Sequence, residues 1–84
     1  MEVSDTSLDY DTGNKANLYA ANRIADYWVI DINRRQLIVF RDPIADPTVI
    51  HGARYQTRLP HDPSATIRAL EAPAAAIRVA DLLP

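Results

Sequence analysis

Asp26-Tyr27-Trp28-Val29-Ile30-Asp31-Ile32, then Asn33-Arg34-Arg35, then Gln36-Leu37-Ile38-Val39-Phe40-Arg41: this stretch decides the fold. In an extended chain Trp28, Ile30 and Ile32 fall on one side, and Tyr27, Val29 and Asp31 on the other. Both sides are largely apolar, which predicts a central strand covered on two faces. The polar triplet is a turn. Gln36 to Arg41 then returns as a second strand, with Ile38 and Phe40 opposed to Leu37 and Val39, and the two make a β-hairpin. Asp31, set among apolar residues, needs a partner once buried. It reads as the end of its strand, pairing with Arg34 or Arg35, in preference to supporting a site from a neighbouring strand.

Working upstream, residues 4–9 are rich in Ser, Thr and Asp and read as a loop with helix-capping potential. Asp9 or Asp11 caps a helix running to about Asn22. Leu18, Ala21 and Ala25 lie at helical spacing and predict its buried stripe, with Lys15, Leu18, Tyr19 and Asn22 alongside. Gly13 weakens the first turn by roughly 1 kcal/mol relative to alanine. Asp11 precedes Lys15 by one turn, which favours an ion pair on the helix surface. Glu2-Val3 looks like the tail of a further strand.

Downstream, Asp42-Pro43 is expected to end the hairpin, and residues 44–53 are a loop without further assignment. Arg54 to Leu59 alternates as a half-exposed strand. Ala65 to Leu70 and Ile77 to Val79 are short strand candidates, and Asp81-Leu82-Leu83 a closing helical turn. A single short helix from Ala74 to Leu83 competes with that reading, since its alanines favour helix. One helix followed by a mainly antiparallel run of strands gives a mixed α/β, or α+β, fold in a single domain over residues 1–84.

Composition narrows the function classes. A chain of 84 residues buries only about 60–65% of its unfolded surface, so its stability margin is thin. There is no cysteine, which excludes a disulfide scaffold and a thiolate zinc site and fits a reducing cytoplasm. His51 and His61 are too few for a histidine metal site and receive no role. The net charge of −2 argues weakly against a protein that coats duplex DNA, but not against an enzyme whose carboxylates hold a cation. No apolar run approaches the roughly 20 residues needed to span a bilayer. The N-terminus lacks a secretory pattern, and a soluble cytoplasmic protein is expected. Gly13 and Gly52 alone cannot build a phosphate-cradling glycine loop.

One ordered set of residues is more specific. Glu2-Val3-Ser4-Asp5-Thr6-Ser7, then Asp11, Lys15 and Tyr19, then Asp26-Tyr27-Trp28-Val29-Ile30-Asp31, resembles the Uma family of restriction-endonuclease-like proteins, a branch of the PD-(D/E)XK nuclease superfamily. Phe40-Arg41-Asp42-Pro43, Tyr55 and Ile77-Arg78-Val79-Ala80-Asp81-Leu82-Leu83 fit the same pattern, so the resemblance covers nearly the whole chain.

The resemblance implies a restriction-endonuclease-like core and a Mg²⁺-dependent (or Mn²⁺-dependent) DNA endonuclease. Glu2 matches the strand glutamate that binds the metal. Lys15 matches a catalytic lysine displaced onto the following helix, and Asp11 and Tyr19 stand as supporting residues. The family's other metal-binding aspartate lies upstream of that glutamate, and here Met1 immediately precedes Glu2. The expectation is therefore the C-terminal portion of such a domain, with its N-terminal helix and strands missing. It would be weakly active or inactive alone, with an apolar edge that favours a homo-oligomer or a complementing fragment.

The residues also carry plainer readings. Glu2 reads as a frayed terminal glutamate. Lys15, the only lysine, reads as a solvated helix residue paired to Asp11. Tyr27 and Trp28 read as core rather than as base-stacking platforms, and Arg34 and Arg35 as a solvated turn. A non-catalytic protein-interaction module, or a relic of the nuclease, is the alternative function.

Overall fold

The computed structural model describes residues 1–5 and 8–83. Thr6 and Ser7, part of the resembling stretch, lie outside the described residues. The elements run β1 (Glu2–Ser4), α1 (Leu8–Thr12), α2 (Asn14–Ala21), β2 (Asp26–Asp31), β3 (Gln36–Ala45), β4 (Ala53–His61), β5 (Thr66–Ala69), β6 (Ala72–Arg78) and α3 (Val79–Leu82). The fold is α+β, as expected.

β1 to β4 form one sheet in chain order, and β5 and β6 form a separate two-stranded sheet. β2 and β3 pair antiparallel, with Asp26 opposite Arg41 and Asp31 opposite Gln36. This is the hairpin that the two apolar runs and their polar turn predict. Arg35 takes the left-handed backbone of that turn at φ 51°. β1 pairs parallel to β2, Glu2 beside Val29 and Ser4 beside Asp31, so the sheet is mixed. A parallel neighbour needs a crossover, and α1 and α2 are that crossover.

The hairpin does not end at Asp42-Pro43. β3 runs on to Ala45, with Pro43 opposite Tyr55 and Ala45 opposite Ala53. Asp42 makes the continuation possible by taking φ 58°, which aspartate tolerates better than most residues, and its carboxylate accepts the Thr57 hydroxyl at 2.7 Å. Residues 44–53 thus resolve into a strand end, a turn and a strand start. The turn is closed by Asp46 N–H to the Gly52 carbonyl at 2.9 Å, with Gly52 at φ 73°.

The single helix expected to about Asn22 is two helices. Gly13 breaks it, and a Cβ there would meet the Asp9 carbonyl oxygen at 2.7 Å. Asp9 and Asp11 lie inside α1 rather than capping it. The expected stripe of Leu18, Ala21 and Ala25 is also wrong. Leu18 is 39% exposed, and the buried positions of α2 are Ala16 and Ala20. The reason lies on the sheet. Tyr27, Phe40 and Tyr55 stand together with ring centroids 5.5–6.1 Å apart and fill the space that a leucine would take. Only small residues let α2 approach such a surface. Burial pushes the Tyr55 phenol up to about 12, and its hydroxyl donates to the Ile24 carbonyl at 2.6 Å.

The opposite face carries Trp28, Ile30, Leu37 and Val39, packed under Ile67 and Val79. β5 and β6 cover it as a hairpin. The competing helix over 74–83 does not form. β6 stays extended to Arg78 because its partner β5 takes up its backbone groups, and only α3 turns helical.

One carboxylate ties this hairpin to the main sheet. Asp26 Oδ1 accepts the Trp28 indole N–H at 2.6 Å and Arg41 Nε–H at 3.0 Å, and Oδ2 accepts the Leu70 N–H at 2.9 Å. Arg41 Nη2 also donates to the Arg68 carbonyl at 2.5 Å. Burial works against the Asp26 charge. The Arg41 guanidinium and the two N–H donors overcome it and hold the carboxyl below its ordinary value. At the far end of β2, Asp31 is fully buried and accepts from Gln36 at 3.2 Å, with the Arg34 guanidinium 3.5 Å away. Arg34 is one of the two arginines expected to pair with it. Among the described residues no helix is long and apolar enough to cross a membrane.

Candidate active site

The four residues singled out by resemblance converge where β1 meets the two helices. β1 extends along β2 and presents Glu2 and Ser4 on the helix side, while Val3 points to the other face and is 57% exposed. Glu2 Oε1 lies 2.9 Å from Lys15 Nζ and accepts the Tyr19 hydroxyl at 3.1 Å. Lys15 and Tyr19 lie one turn apart on α2, so a single helix face delivers both to one carboxylate.

Asp11 completes the group from α1. Its Oδ1 lies 3.6 Å from Lys15 Nζ, and its Oδ2 accepts the Ser4 hydroxyl at 2.5 Å. The pair with Lys15 spans the break at Gly13. It is not a surface pair, because the Asp11 side chain is only 4% exposed. The Tyr27 hydroxyl donates to the Asp11 backbone carbonyl at 2.8 Å and fixes α1 to the sheet. Ser4, fully buried, is the residue that reading the sequence missed. Its signal was the strand period: Ser4 shares a face with Glu2 two residues earlier.

The charges order themselves around the ammonium. The Lys15 hydrogen bond holds the Glu2 carboxyl below its ordinary value against the cost of burial, and Tyr19 adds to the effect. The same bond raises the Lys15 amine, and the Glu2 carboxylate raises the Tyr19 phenol. Glu2 is therefore ionised and Lys15 protonated at neutral pH. The Glu2 and Asp11 carboxyl groups thus face one ammonium.

Such a pair fits Mg²⁺ or Mn²⁺, hard cations that commonly take one or two carboxylates and fill their remaining positions with water and phosphate oxygens. Among the described residues no group of three or more His, Cys, Asp or Glu could hold a metal, so water or substrate would supply the other ligands. His51 and His61 lie elsewhere, at the turn before β4 and at its end. The turn arginine Arg34 is 69% exposed and directed to Asp31 rather than to this site.

The family described as Uma2, "Putative restriction endonuclease", has a sequence profile that matches residues 1–79. No curated protein and no solved structure matches this chain.

Proposed function

Because this chain belongs to the Uma2 family of putative restriction endonucleases, we propose that it is a divalent-cation-dependent DNA endonuclease hydrolysing phosphodiester bonds at the Glu2–Asp11–Lys15–Tyr19 cluster. The observation that carries this reading is the meeting of two carboxylates and the only lysine within 3.6 Å. Glu2 and Asp11 would hold Mg²⁺ or Mn²⁺. When bound, that ion supplies charge neutralisation at the scissile phosphate and a more acidic water.

The chain's own residues do the rest. Tyr19 orients the Glu2 carboxylate through its hydroxyl. Ser4 holds the Asp11 carboxylate, leaving its other oxygen toward Lys15. Lys15, protonated at neutral pH, offers a compact positive donor to a phosphate oxygen or to the attacking water. Phosphate and water are then oriented against groups already fixed by a strand and two helices, which is how such sites gain rate.

The test is nicking of supercoiled plasmid by the purified chain with Mg²⁺ or Mn²⁺, beside Lys15→Ala and an EDTA blank. Metal-dependent nicking that disappears in Lys15→Ala supports the reading. No nicking by a folded chain at any cation concentration counts against it.

A second reading, a non-catalytic interaction module, is favoured by one observation. β1 lies at the sheet edge, and its Val3 and the adjacent Met1 are 57% and 67% exposed. That module would tolerate Glu2→Gln and Lys15→Ala without losing its partner, whether a second copy or a complementing fragment.

A further inference from the structure

We propose that Lys15 is the resident counter-ion of the Glu2–Asp11 pair and must leave it before a divalent cation can bind, so that one side chain both closes the resting site and is released by loading it. The identity of the incoming ion as a divalent cation rests on the nuclease reading; the competition itself rests on geometry.

Three observations carry it. First, the ammonium contacts both acids that would hold a cation, 2.9 Å from Glu2 Oε1 and 3.6 Å from Asp11 Oδ1. A divalent ion and an ammonium in one small space repel, and neutralised carboxylates attract an ion less than bare ones.

Second, each acid has an anchor besides Lys15. The Tyr19 hydroxyl holds Glu2 at 3.1 Å, the Ser4 hydroxyl holds Asp11 at 2.5 Å, and Tyr27 anchors the Asp11 backbone at 2.8 Å. With the ammonium gone, the two carboxylates stay aimed at the same point. They are the two carboxyl groups that would take up the cation.

Third, Lys15 has somewhere to go. Its side chain is a quarter exposed and has a flexible four-carbon stem. The Tyr10 ring, on α1 and 57% exposed, already lies 6.0 Å from Nζ and offers an aromatic face to the displaced charge. The released amine is then close to the cation and available to substrate phosphate. Closure at rest and assistance during the reaction are two positions of one group.

The test is Mn²⁺ affinity of the full chain by isothermal titration calorimetry, for wild type, Lys15→Met and Lys15→Arg. Methionine keeps the stem and removes the charge; arginine keeps the charge. Lys15→Met is expected to bind Mn²⁺ at least tenfold more tightly than wild type while losing nicking. Lys15→Arg is expected to stay within threefold of wild type. Adding Glu2→Gln to Lys15→Met should abolish the gain.

Equal or weaker binding by Lys15→Met overturns the proposal, as does no binding by any variant. Should Lys15→Met not fold, the wild type itself decides. The side-chain ammonium resonance of Lys15 should shift on Mg²⁺ titration as it leaves Glu2, and a resonance unmoved at saturating Mg²⁺ overturns the competition. The two readings separate cleanly. Tighter Mn²⁺ binding without nicking by wild type keeps the counter-ion and removes the nuclease. Nicking with unchanged affinity keeps the nuclease and removes the counter-ion.

Discussion

The two faces of the sheet solve different problems. The helix face packs Tyr19, Tyr27, Phe40 and Tyr55 against Ala16 and Ala20 and collects charge at its β1 end. The hairpin face is apolar, and its cover is fastened by hydrogen bonds centred on Asp26. Each face has a cluster built around a carboxylate, Glu2 on one and Asp26 on the other. Around Glu2 the partners are an ammonium on a flexible stem and a phenol hydroxyl. Around Asp26 they are a guanidinium, an indole and a backbone N–H, which join the main sheet to the β5–β6 hairpin. On the proposed reading the first arrangement serves chemistry and the second fastening, so the same residue type would serve opposite purposes according to what surrounds it.

The largest effect expected should separate the faces by readout. Glu2→Gln should lower metal-dependent plasmid nicking by about 100-fold or more, with a urea midpoint close to wild type. Next, Asp26→Ala should cost about 2–3 kcal/mol of stability, because charged hydrogen bonds are lost and donors are left without an acceptor. Its nicking rate per folded molecule should stay within about threefold of wild type. An activity loss in Asp26→Ala matching that of Glu2→Gln would erase the contrast.

The packing of the helix face can be tested at smaller scale. Ala20→Leu should cost about 1–3 kcal/mol, since no space remains beside the tyrosine cluster. Leu18→Ala should change stability by less than about 0.5 kcal/mol. Both are read from denaturant midpoints, and the reverse order would mean that α2 is rotated.

The smallest effect concerns pH. Asp26 has a folded pKa below its ordinary 3.8. The stability it supplies is complete above that value and is lost as pH falls through the lower folded one. Glu2 behaves likewise below its ordinary 4.5. Acid should therefore loosen both clusters. Trp28 fluorescence, reporting the indole bonded to Asp26, should change below about pH 4. Asp26→Asn should remove that part of the transition.

Much of the sheet was legible in the sequence. The β2–β3 hairpin follows from two apolar runs around Asn33-Arg34-Arg35, because a strand buried on both faces leaves no other pattern. The helix register was not legible. Hydrophobicity favours Leu18 over Ala16 and Ala20, and only the facing aromatic rings, distant in sequence, reverse that order. The two-helix break was half legible: Gly13 marks a weak point, but the approach of the Asp9 carbonyl is a matter of backbone geometry. Asp26 carried a readable signal that went unused, for the hairpin register places it opposite Arg41. Its bond to Leu70, 44 residues on, carried none. At the site, Glu2, Lys15, Asp11 and Tyr19 were reached through family resemblance. The burial of Asp11 under Ser4 needed the fold.

β1 has a consequence for time as well as for place. Its three residues pair with β2 alone among the described strands, yet they carry Glu2 and Ser4. Short edge strands open by local fluctuations far cheaper than global unfolding. Each such opening disperses the cluster while Trp28 and Leu37 stay packed. On warming, competence should fade over a range of temperature in which the body of the protein is still intact, and cooling should restore it at the rate at which one short strand finds its neighbour.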